Sequence, residues 1–337
     1  MTRFNDLTLG LTMLFITNIH PASRSKSARL PRNFSFDPHC NAPSCEVFYC
    51  QRNSQHQYQE LGSLAFMAQL KQSPYQQLLF YVHGFSNQPE PDVFPRVAQL
   101  QAYFDSQQAN LVQVIPIIWP CDNDLGIVKD YWDDQKSADA SGTSFARALQ
   151  KLLGWQQQNA QVDAPCLKRI NVLAHSMGNR VLRETLFKWQ HDYLPSGVPL
   201  LFRHVFLMAA DLNNQTLEPN QPGRLISQAA RNVSVYYASD DLALRASKVS
   251  NLVNGIASRR LGHSGPEHLE AVANNVYSID CDDINTRYDF PKGHSYFIDQ
   301  NNTSPGAVFN HLYNTIVTGR VEANDQHHHQ ISESTAP

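Results

Sequence analysis

The sequence predicts one doubly wound α/β domain, with a central, mostly parallel sheet of eight strands and helices on both faces. Two observations support this prediction. Short apolar runs alternate along the chain with segments in which apolar residues recur at three- and four-residue intervals, as strands alternate with helices in such a fold. Most of the later apolar runs are continuous, which is typical of strands that helices cover on both sides.

Eight apolar segments are predicted to be strands, at 13–17, 46–49, 78–82, 112–118, 170–173, 204–208, 233–238 and 276–279. Helical periodicity is found at 92–108, 144–157, 177–190, 241–253 and 305–317. Because most strands are followed by a helical segment, we expect them to run parallel, joined by helical crossovers. A chain of 337 residues is long enough to bury the core of such a domain.

The predicted domain covers residues 13–320. Residues 1–12 are expected to be an N-terminal extension in front of it. Residues 321–337 have few apolar side chains and are expected to form a disordered tail. This tail contains three consecutive histidines, but a mobile segment offers no fixed geometry for a metal ion.

A polar insertion at 120–142 follows the fourth predicted strand and carries Tyr131 and Trp132 in its middle. A long insertion at this point could overhang a site as a lid, and the two aromatic rings could form an apolar wall. The alternative is an ordinary surface loop with two packed aromatic side chains.

Composition excludes several classes of protein. The formal net charge of −3 gives no reason to expect a nucleic acid or an acidic membrane as partner, and no apolar run is long enough to cross a bilayer. The six cysteines are too few for a disulfide scaffold and match no zinc spacing, which favours reduced thiols in a cytoplasmic protein. Residues 7–19 resemble a signal-peptide core, which is the secreted or periplasmic alternative, but Asp6 and the lack of a clear cleavage site disfavour it.

The stretch 168–190 indicates a nucleophilic serine. An apolar strand leads without a spacer into Ala174-His175-Ser176-Met177-Gly178, and a helical pattern follows at once. Small residues around a serine at a sharp strand-to-helix junction are what a nucleophile elbow requires, because a bulky side chain two positions away would clash. Ala174 stands where the usual motif has its first glycine, and Gly178 keeps the second.

A serine hydroxyl needs a base, and the base needs an acid that orients it. Asp241 follows the seventh predicted strand and is the first choice for the acid, with Asp240 beside it and Asp211 after the sixth strand as a rival. The alternative role for Asp240 and Asp241 is to cap a helix. His294, between the last strand and the final helix, is the predicted base, with His263 as the reserve.

Two backbone N–H groups are expected to form an oxyanion hole. One belongs to Met177 at the start of the helix, and the other to Phe85, in the His-Gly-Phe segment after the third predicted strand. His83 is expected to have a structural role there, in hydrogen bonds to loop carbonyls.

The chain resembles the serine-esterase-like α/β-hydrolase family of unknown function called DUF900. Five segments carry this resemblance: MLFITN, YVHGFSN, IIWP with Tyr131 and Asp134 downstream, LAHSMGNRVL, and VYYASDDLAL followed by GHSYF. The resemblance implies an α/β-hydrolase fold, a triad of Ser176, Asp241 and His294, and no cofactor. Two features depart from it: the residues before Met13 are additional, and the 46–50 strand lies too far from the first strand for a tight hairpin.

The leading hypothesis is a serine hydrolase that cleaves small-molecule carboxylic esters through an acyl-enzyme. Acyl transfer to an acceptor other than water is a second reading, because it uses the same intermediate. A third reading is a binding protein that keeps the fold without catalysis, since fold alone does not determine function.

Overall fold

The centre of the protein is an eleven-stranded sheet. The computed structural model describes residues 12–23, 29–37, 40–121, 127–160, 165–245, 259–299 and 304–332. In chain order the strands are β1 (Met13–Thr17), β2 (Arg32–Phe34), β3 (Phe48–Arg52), β4 (Tyr58–Glu60), β5 (Gln77–Val82), β6 (Val112–Ile118), β7 (Arg169–His175), β8 (Phe202–Met208), β9 (Ala230–Tyr237), β10 (Val276–Asp280) and β11 (His328–Gln330). Across the sheet they lie in the order β11-β10-β9-β8-β7-β5-β6-β1-β3-β4-β2.

The strands from β11 to β1 in this order all run parallel to their neighbours. The last three, β3, β4 and β2, add an antiparallel edge. β1 and β3 pair antiparallel, but a long connection that contains β2 joins them rather than a tight hairpin. The carboxyl ends of the parallel strands therefore all meet at one edge, where α/β proteins place their ligand sites.

Helices cover both faces of the sheet. In the described residues they are α1 (Ser63–Gln72), α2 (Phe94–Gln107), α3 (Ile127–Asn159), α4 (Gly178–Tyr193), α5 (Arg224–Ala229), α6 (Leu261–Ser264), α7 (Asn285–Tyr288) and α8 (Ala307–Thr318), with a π-helical turn at Pro89–Val93 and a 3₁₀ turn at Leu269–Ala271. None of the described helices combines the length and the apolar composition that a membrane crossing requires.

The central strand β5 shows how the core is divided. All six of its residues are buried. Leu78 and Phe80 face one apolar cluster, which the side chains of α1, α3 and α4 complete. Leu79 and Tyr81 face a second cluster, completed by α2 and α8. A strand that is buried on both sides is mostly apolar, which is why residues 78–82 form a continuous apolar run with no alternation.

The sheet has eleven strands, so the predicted number of eight was wrong, although each of the eight predicted segments overlaps a strand. The three additional strands are β2, β4 and β11. Each is three residues long and contains mostly polar residues, with the sequences RNF, YQE and HHQ. These strands pair through backbone hydrogen bonds at the two margins of the sheet. Backbone pairing leaves no apolar pattern in the sequence.

The C-terminal segment differs from the disordered tail that was expected from 321 onwards. Residues 328–330 form β11, which pairs with β10. The following Ile331 is 1% exposed and belongs to the second apolar cluster. One buried side chain and a parallel ladder hold this segment despite its polar composition. The expected N-terminal extension lies outside the described residues, apart from its last residue.

Most of the 120–142 insertion belongs to α3, which continues into the helix predicted at 144–157. Residues 122–126 lie outside the described part of the chain. Helix α3 packs along α4, and Asp139 accepts two hydrogen bonds from the Arg180 guanidinium at 2.5 and 2.7 Å. Of the helix predicted at 241–253, residues 242–245 are helical, and the remainder from 246 lies outside the described residues.

Aromatic side chains join the antiparallel edge to the parallel part of the sheet. The ring of Phe15 on β1, which has no exposed surface, lies within 5.3 to 6.5 Å of four other rings, centroid to centroid. These are Phe34, Phe36, Tyr58 and Phe94. Edge-to-face packing of this kind stabilises beyond the area that it buries.

We predict that Phe15→Ala lowers the free energy of unfolding by about 3–5 kcal/mol, because it leaves a cavity where these rings meet. The matched control is Leu64→Ala, in which the removed side chain is 73% exposed and the expected change is within about 0.5 kcal/mol. Urea unfolding followed by circular dichroism measures both. Equal losses in the two variants would contradict the packing described for Phe15.

Candidate active site

A sharp turn between β7 and α4 presents Ser176. Its φ angle is 53°, in the left-handed region that residues with a Cβ rarely adopt. Three hydrogen bonds hold the turn: the Ser176 N–H donates to the Met208 carbonyl (3.0 Å), the Ser176 carbonyl accepts from the Asp211 N–H (3.2 Å), and Asn179 Nδ2 donates to the Ser176 carbonyl (3.0 Å). Backbone strain at a nucleophile persists only where surrounding contacts hold it in this way.

Two glycines permit the close approach of backbones around this turn. A Cβ on Gly178 would lie 2.4 Å from the carbonyl oxygens of both Val82 and His83. A Cβ on Gly84 would lie 2.8 Å from the Cβ of Ser176. The segment after β5 therefore passes directly beside the serine, and only glycine fits at either position.

The backbone N–H groups of Phe85 and Met177 are available as donors. Neither donates a hydrogen bond to any residue that the structure describes. The segment that carries Phe85 is fixed by its neighbours, since Ser86 N–H donates to Asp134 Oδ2 (3.2 Å) and Asn87 Nδ2 donates to the Phe85 carbonyl (2.6 Å). Two unpaired donors on a fixed loop and a helix start are the groups that stabilise an oxyanion.

His83 supports this segment as a neutral side chain. It is fully buried, and burial lowers its pKa to about 4. Its Nε2 accepts a hydrogen bond from the Trp119 N–H (3.1 Å), so the proton sits on Nδ1, which donates to the Gly84 carbonyl (2.9 Å). The ring also stacks on the Trp119 indole. These contacts agree with the structural role expected for His83.

His294 and Asp241 lie side by side at the carboxyl edge of the sheet. His294 Nδ1 donates to Asp241 Oδ2 at 2.6 Å. The other Asp241 oxygen accepts from the Leu244 N–H at 3.0 Å, so this carboxylate both pairs with the histidine and caps a helical turn. The Asp241 side chain has no exposed surface, whereas 13% of the His294 side chain remains exposed. An imidazole held in this way keeps its Nε2 free to accept a proton.

His294 lies next to the nucleophile turn. Its ring centroid is 4.8 Å from that of His175, the residue before Ser176, and His175 Nε2 donates to the His294 carbonyl at 3.2 Å. The Ser176 hydroxyl donates no hydrogen bond to the described residues. Serine–histidine hydrogen bonds are often long in ligand-free enzymes and shorten when substrate binds.

The electrostatic surroundings keep His294 basic. Burial alone lowers the pKa of His294, but the negative charge and hydrogen bond of Asp241, followed by the charges of Asp289 and Asp211, raise it above its ordinary value. His175 behaves in the opposite way: its burial, and then the neighbouring His294 and Arg96, hold the pKa of His175 well below its usual range. The two neighbouring histidines therefore differ, since the pKa of His294 is raised and that of His175 is lowered.

The alternative acids have other partners. Asp240 accepts a hydrogen bond from Asn285 Nδ2. Asp211 accepts from the Tyr131 hydroxyl at 2.8 Å and forms an ion pair with the buried Arg260 at 3.1 Å. The reserve base His263 lies in α6. The structure thus brings His294, rather than His263, to the carboxylate of Asp241.

Two further residues, Asp289 and His175, contact the loop that carries His294. Asp289 accepts hydrogen bonds from the N–H groups of His294 (2.9 Å) and Ser295 (2.7 Å) and so shapes the loop that carries His294. His175 contacts that loop from the other side. A histidine before the nucleophile was visible in the motif, but Asp289 sits in an irregular loop and has no sequence signal.

Tyr131, on α3, contacts two residues near Ser176, namely Asp211 and Phe85. Besides its hydrogen bond to Asp211, its ring packs edge-on against Phe85 at 5.7 Å between centroids. Trp132 packs against Tyr131 at 6.1 Å. Within the described residues, no three His, Cys, Asp or Glu side chains cluster in a way that could hold a metal ion.

We predict that Tyr131→Phe lowers the free energy of unfolding by about 1–3 kcal/mol, because it leaves the buried Asp211 carboxylate with one hydrogen bond fewer. Tyr313→Phe is the matched control, since the Tyr313 hydroxyl has no partner among the described residues, and we expect little change there. Chemical denaturation of both variants tests this. A neutral Tyr131→Phe would show that the bond to Asp211 contributes nothing to the fold.

Comparison with known proteins identifies the family of the chain. No curated protein matches the sequence. A family model described as an alpha/beta hydrolase of unknown function, DUF900, matches residues 61–311. This range includes Ser176, Asp241, His294 and both of the free N–H groups. The match covers well over half of the chain, and the protein therefore belongs to the DUF900 family of α/β-hydrolases.

Proposed function

We propose that the protein is a serine hydrolase that cleaves carboxylic esters, with Ser176 as nucleophile, His294 as general base and Asp241 as the acid that orients it. The observation that supports this most strongly is the contact of 2.6 Å between His294 and the fully buried Asp241, next to a serine held at a positive φ angle. Acyl transfer of this kind requires a nucleophile, a base and an acid that orients the base, and in α/β-hydrolases they follow one another as Ser, acid and His.

In the proposed reaction, His294 Nε2 takes the proton of Ser176 as the serine oxygen attacks the ester carbonyl. The tetrahedral oxyanion accepts hydrogen bonds from the N–H groups of Phe85 and Met177. Collapse of this intermediate expels the alcohol, which takes the proton from His294. Water then attacks the acyl-enzyme with His294 again as base, and His294 returns the proton to the Ser176 oxygen as the carboxylic acid leaves. The chemistry uses no cofactor.

Tyr131 and Trp132 are proposed to line the acyl side of the site. The support is the contact of Tyr131 with Phe85, one of the two residues proposed to hold the oxyanion. An apolar wall beside the reacting carbonyl favours esters with apolar acyl groups, because the buried area contributes to binding.

We predict that a fluorophosphonate probe labels the protein at Ser176 and that Ser176→Ala abolishes both labelling and p-nitrophenyl ester hydrolysis. The matched control is Ser196→Ala, which changes an exposed serine in the turn after α4 and is expected to keep wild-type rates. Labelling is read by mass spectrometry of the intact protein and its peptides. Full esterase activity in Ser176→Ala would refute the proposed nucleophile.

The pH dependence of kcat/KM should report His294. A general base works only when unprotonated, so activity is lost as pH falls through its pKa, and this midpoint should lie above the ordinary value of 6.5 because Asp241 raises the pKa. Removing that charge in Asp241→Asn should move the midpoint to lower pH and reduce kcat/KM by about 10²–10⁴-fold.

Asp211→Asn distinguishes the rival acid in the same measurement. The charge of Asp211 raises the pKa of His294 less than that of Asp241 does, so this variant should lose less activity and keep a higher midpoint than Asp241→Asn. A larger loss in Asp211→Asn than in Asp241→Asn would transfer the role of the acid to Asp211.

A further inference from the structure

Three arginines lie at the amino-terminal edge of the sheet, opposite the candidate active site. Arg169 opens β7, Arg203 is the second residue of β8, and Arg231 is the second residue of β9. These strands are parallel neighbours with β8 in the middle. Because Ser176 follows the other end of β7, the cluster lies about 20 Å away from it.

No carboxylate pairs with these arginines in the described part of the chain. Arg169 and Arg231 are exposed and Arg203 is half-buried. Burial lowers the pKa of Arg203, and the charges of Arg169 and Arg231 lower it further. Like charges at short range destabilise a fold unless an anion lies between them.

Two buried N–H donors at this edge have no acceptor among the described residues. Arg203 Nε is one, and Nε2 of His204, a residue that is 1% exposed, is the other. Burial, and then the arginine charges, lower the pKa of His204 to about 3, so the ring is neutral. Its Nδ1 faces the Asn232 amide NH₂ at 3.3 Å and accepts from it, which places the single ring proton on Nε2.

A cationic cleft borders this edge at Arg169, whereas Arg203 and Arg231 do not line it. A cleft of about 550 Å³ opens there, and its cationic lining residues are Lys71, Lys168 and Arg169. Lys71 donates to Asn159 Oδ1 and Lys168 to the Ser73 carbonyl, so both ammonium groups are held in place, and neither pairs with a carboxylate in the part of the chain that the structure describes. The described lining of this cleft contains no acidic residue.

We propose that the edge formed by Arg169, Arg203, His204 and Arg231 binds a phosphate group. A phosphate offers several acceptor oxygens and two negative charges, which match three guanidinium groups and two unpaired N–H donors. Guanidinium forks bind such oxyanions with short, charge-assisted hydrogen bonds. The inference is independent of the proposed esterase reaction, which uses the opposite edge.

A purely structural role for Arg203 is the competing explanation. Its Nη2 lies against Gly319, directly after α8, so close that a Cβ there would be 2.1 Å away, and cations stabilise helix C-termini. The two explanations predict different effects of a neutral side chain at position 203 on stability. If the arginines only stabilise α8, Arg203→Gln loses thermal stability and phosphate has no effect. If they bind phosphate, the ligand-free variant is at least as stable as wild type because repulsion is relieved.

The test is calorimetric titration of the full chain carrying Ser176→Ala with inorganic phosphate and with phenyl phosphate, at an ionic strength kept constant with potassium chloride. Saturable binding of either ligand is expected. Arg203→Gln and the exposed Arg231→Gln should each weaken it by at least about tenfold. Arg147→Gln on α3, which removes one exposed arginine elsewhere, should bind as the parent does.

Flotation with phosphatidylcholine vesicles, with and without phosphatidic acid, identifies the source of the phosphate. Binding to phosphatidic acid vesicles that Arg231→Gln abolishes assigns a lipid headgroup, and binding only to the small phosphates assigns a soluble phosphomonoester. No binding in either arm, or unchanged affinity in both arginine variants, overturns the proposal. Arg231 is exposed, so its variant keeps the test valid even where Arg203→Gln fails to fold.

Discussion

The candidate site depends on three backbone segments that meet around Ser176. The turn after β7 is strained by its positive φ angle, and such strain costs about 1–3 kcal/mol. Hydrogen bonds with Met208, Asp211 and Asn179 offset this strain. Gly84 and Gly178 allow the neighbouring backbone segments to come into contact. The position of the serine is therefore set by the buried sheet, and the loops that carry Asp241 and His294 add to a centre that is already fixed.

Much of this arrangement was predictable from the sequence. Continuous apolar runs indicated the long central strands, because burial on both faces leaves a local signal. The order of Ser176, Asp241 and His294 after successive strands indicated that they lie near one another, and the structure places them so. The strands β2, β4 and β11 left no such signal, since each is three residues long and at most one of those residues is a Phe or Tyr. Asp289 was equally hidden, because its role depends on the path of an irregular loop.

Asp211 and Asp241 show how the surroundings of two similar carboxylates give them different partners. Asp211 and Asp241 both follow parallel strands, and from the sequence either could serve the base. In the structure Asp211 has Arg260 and Tyr131 as partners, whereas Asp241 has an imidazole and one N–H. Arg260 and Tyr131 therefore occupy the Asp211 carboxylate, and the Asp241 carboxylate is the one that faces His294.

Helix α3 has a mechanical consequence for the site. Its 33 residues form one rod of about 50 Å, and Tyr131 and Asp134 lie in its first turns. The Tyr131 hydroxyl donates a hydrogen bond to Asp211. The Asp134 carboxylate accepts one from the N–H of Ser86, the residue after Phe85. Fraying of this end would release both supports together. Heat or denaturant would then disturb the surroundings of Ser176 as one unit, while the sheet and the far end of α3 are still folded.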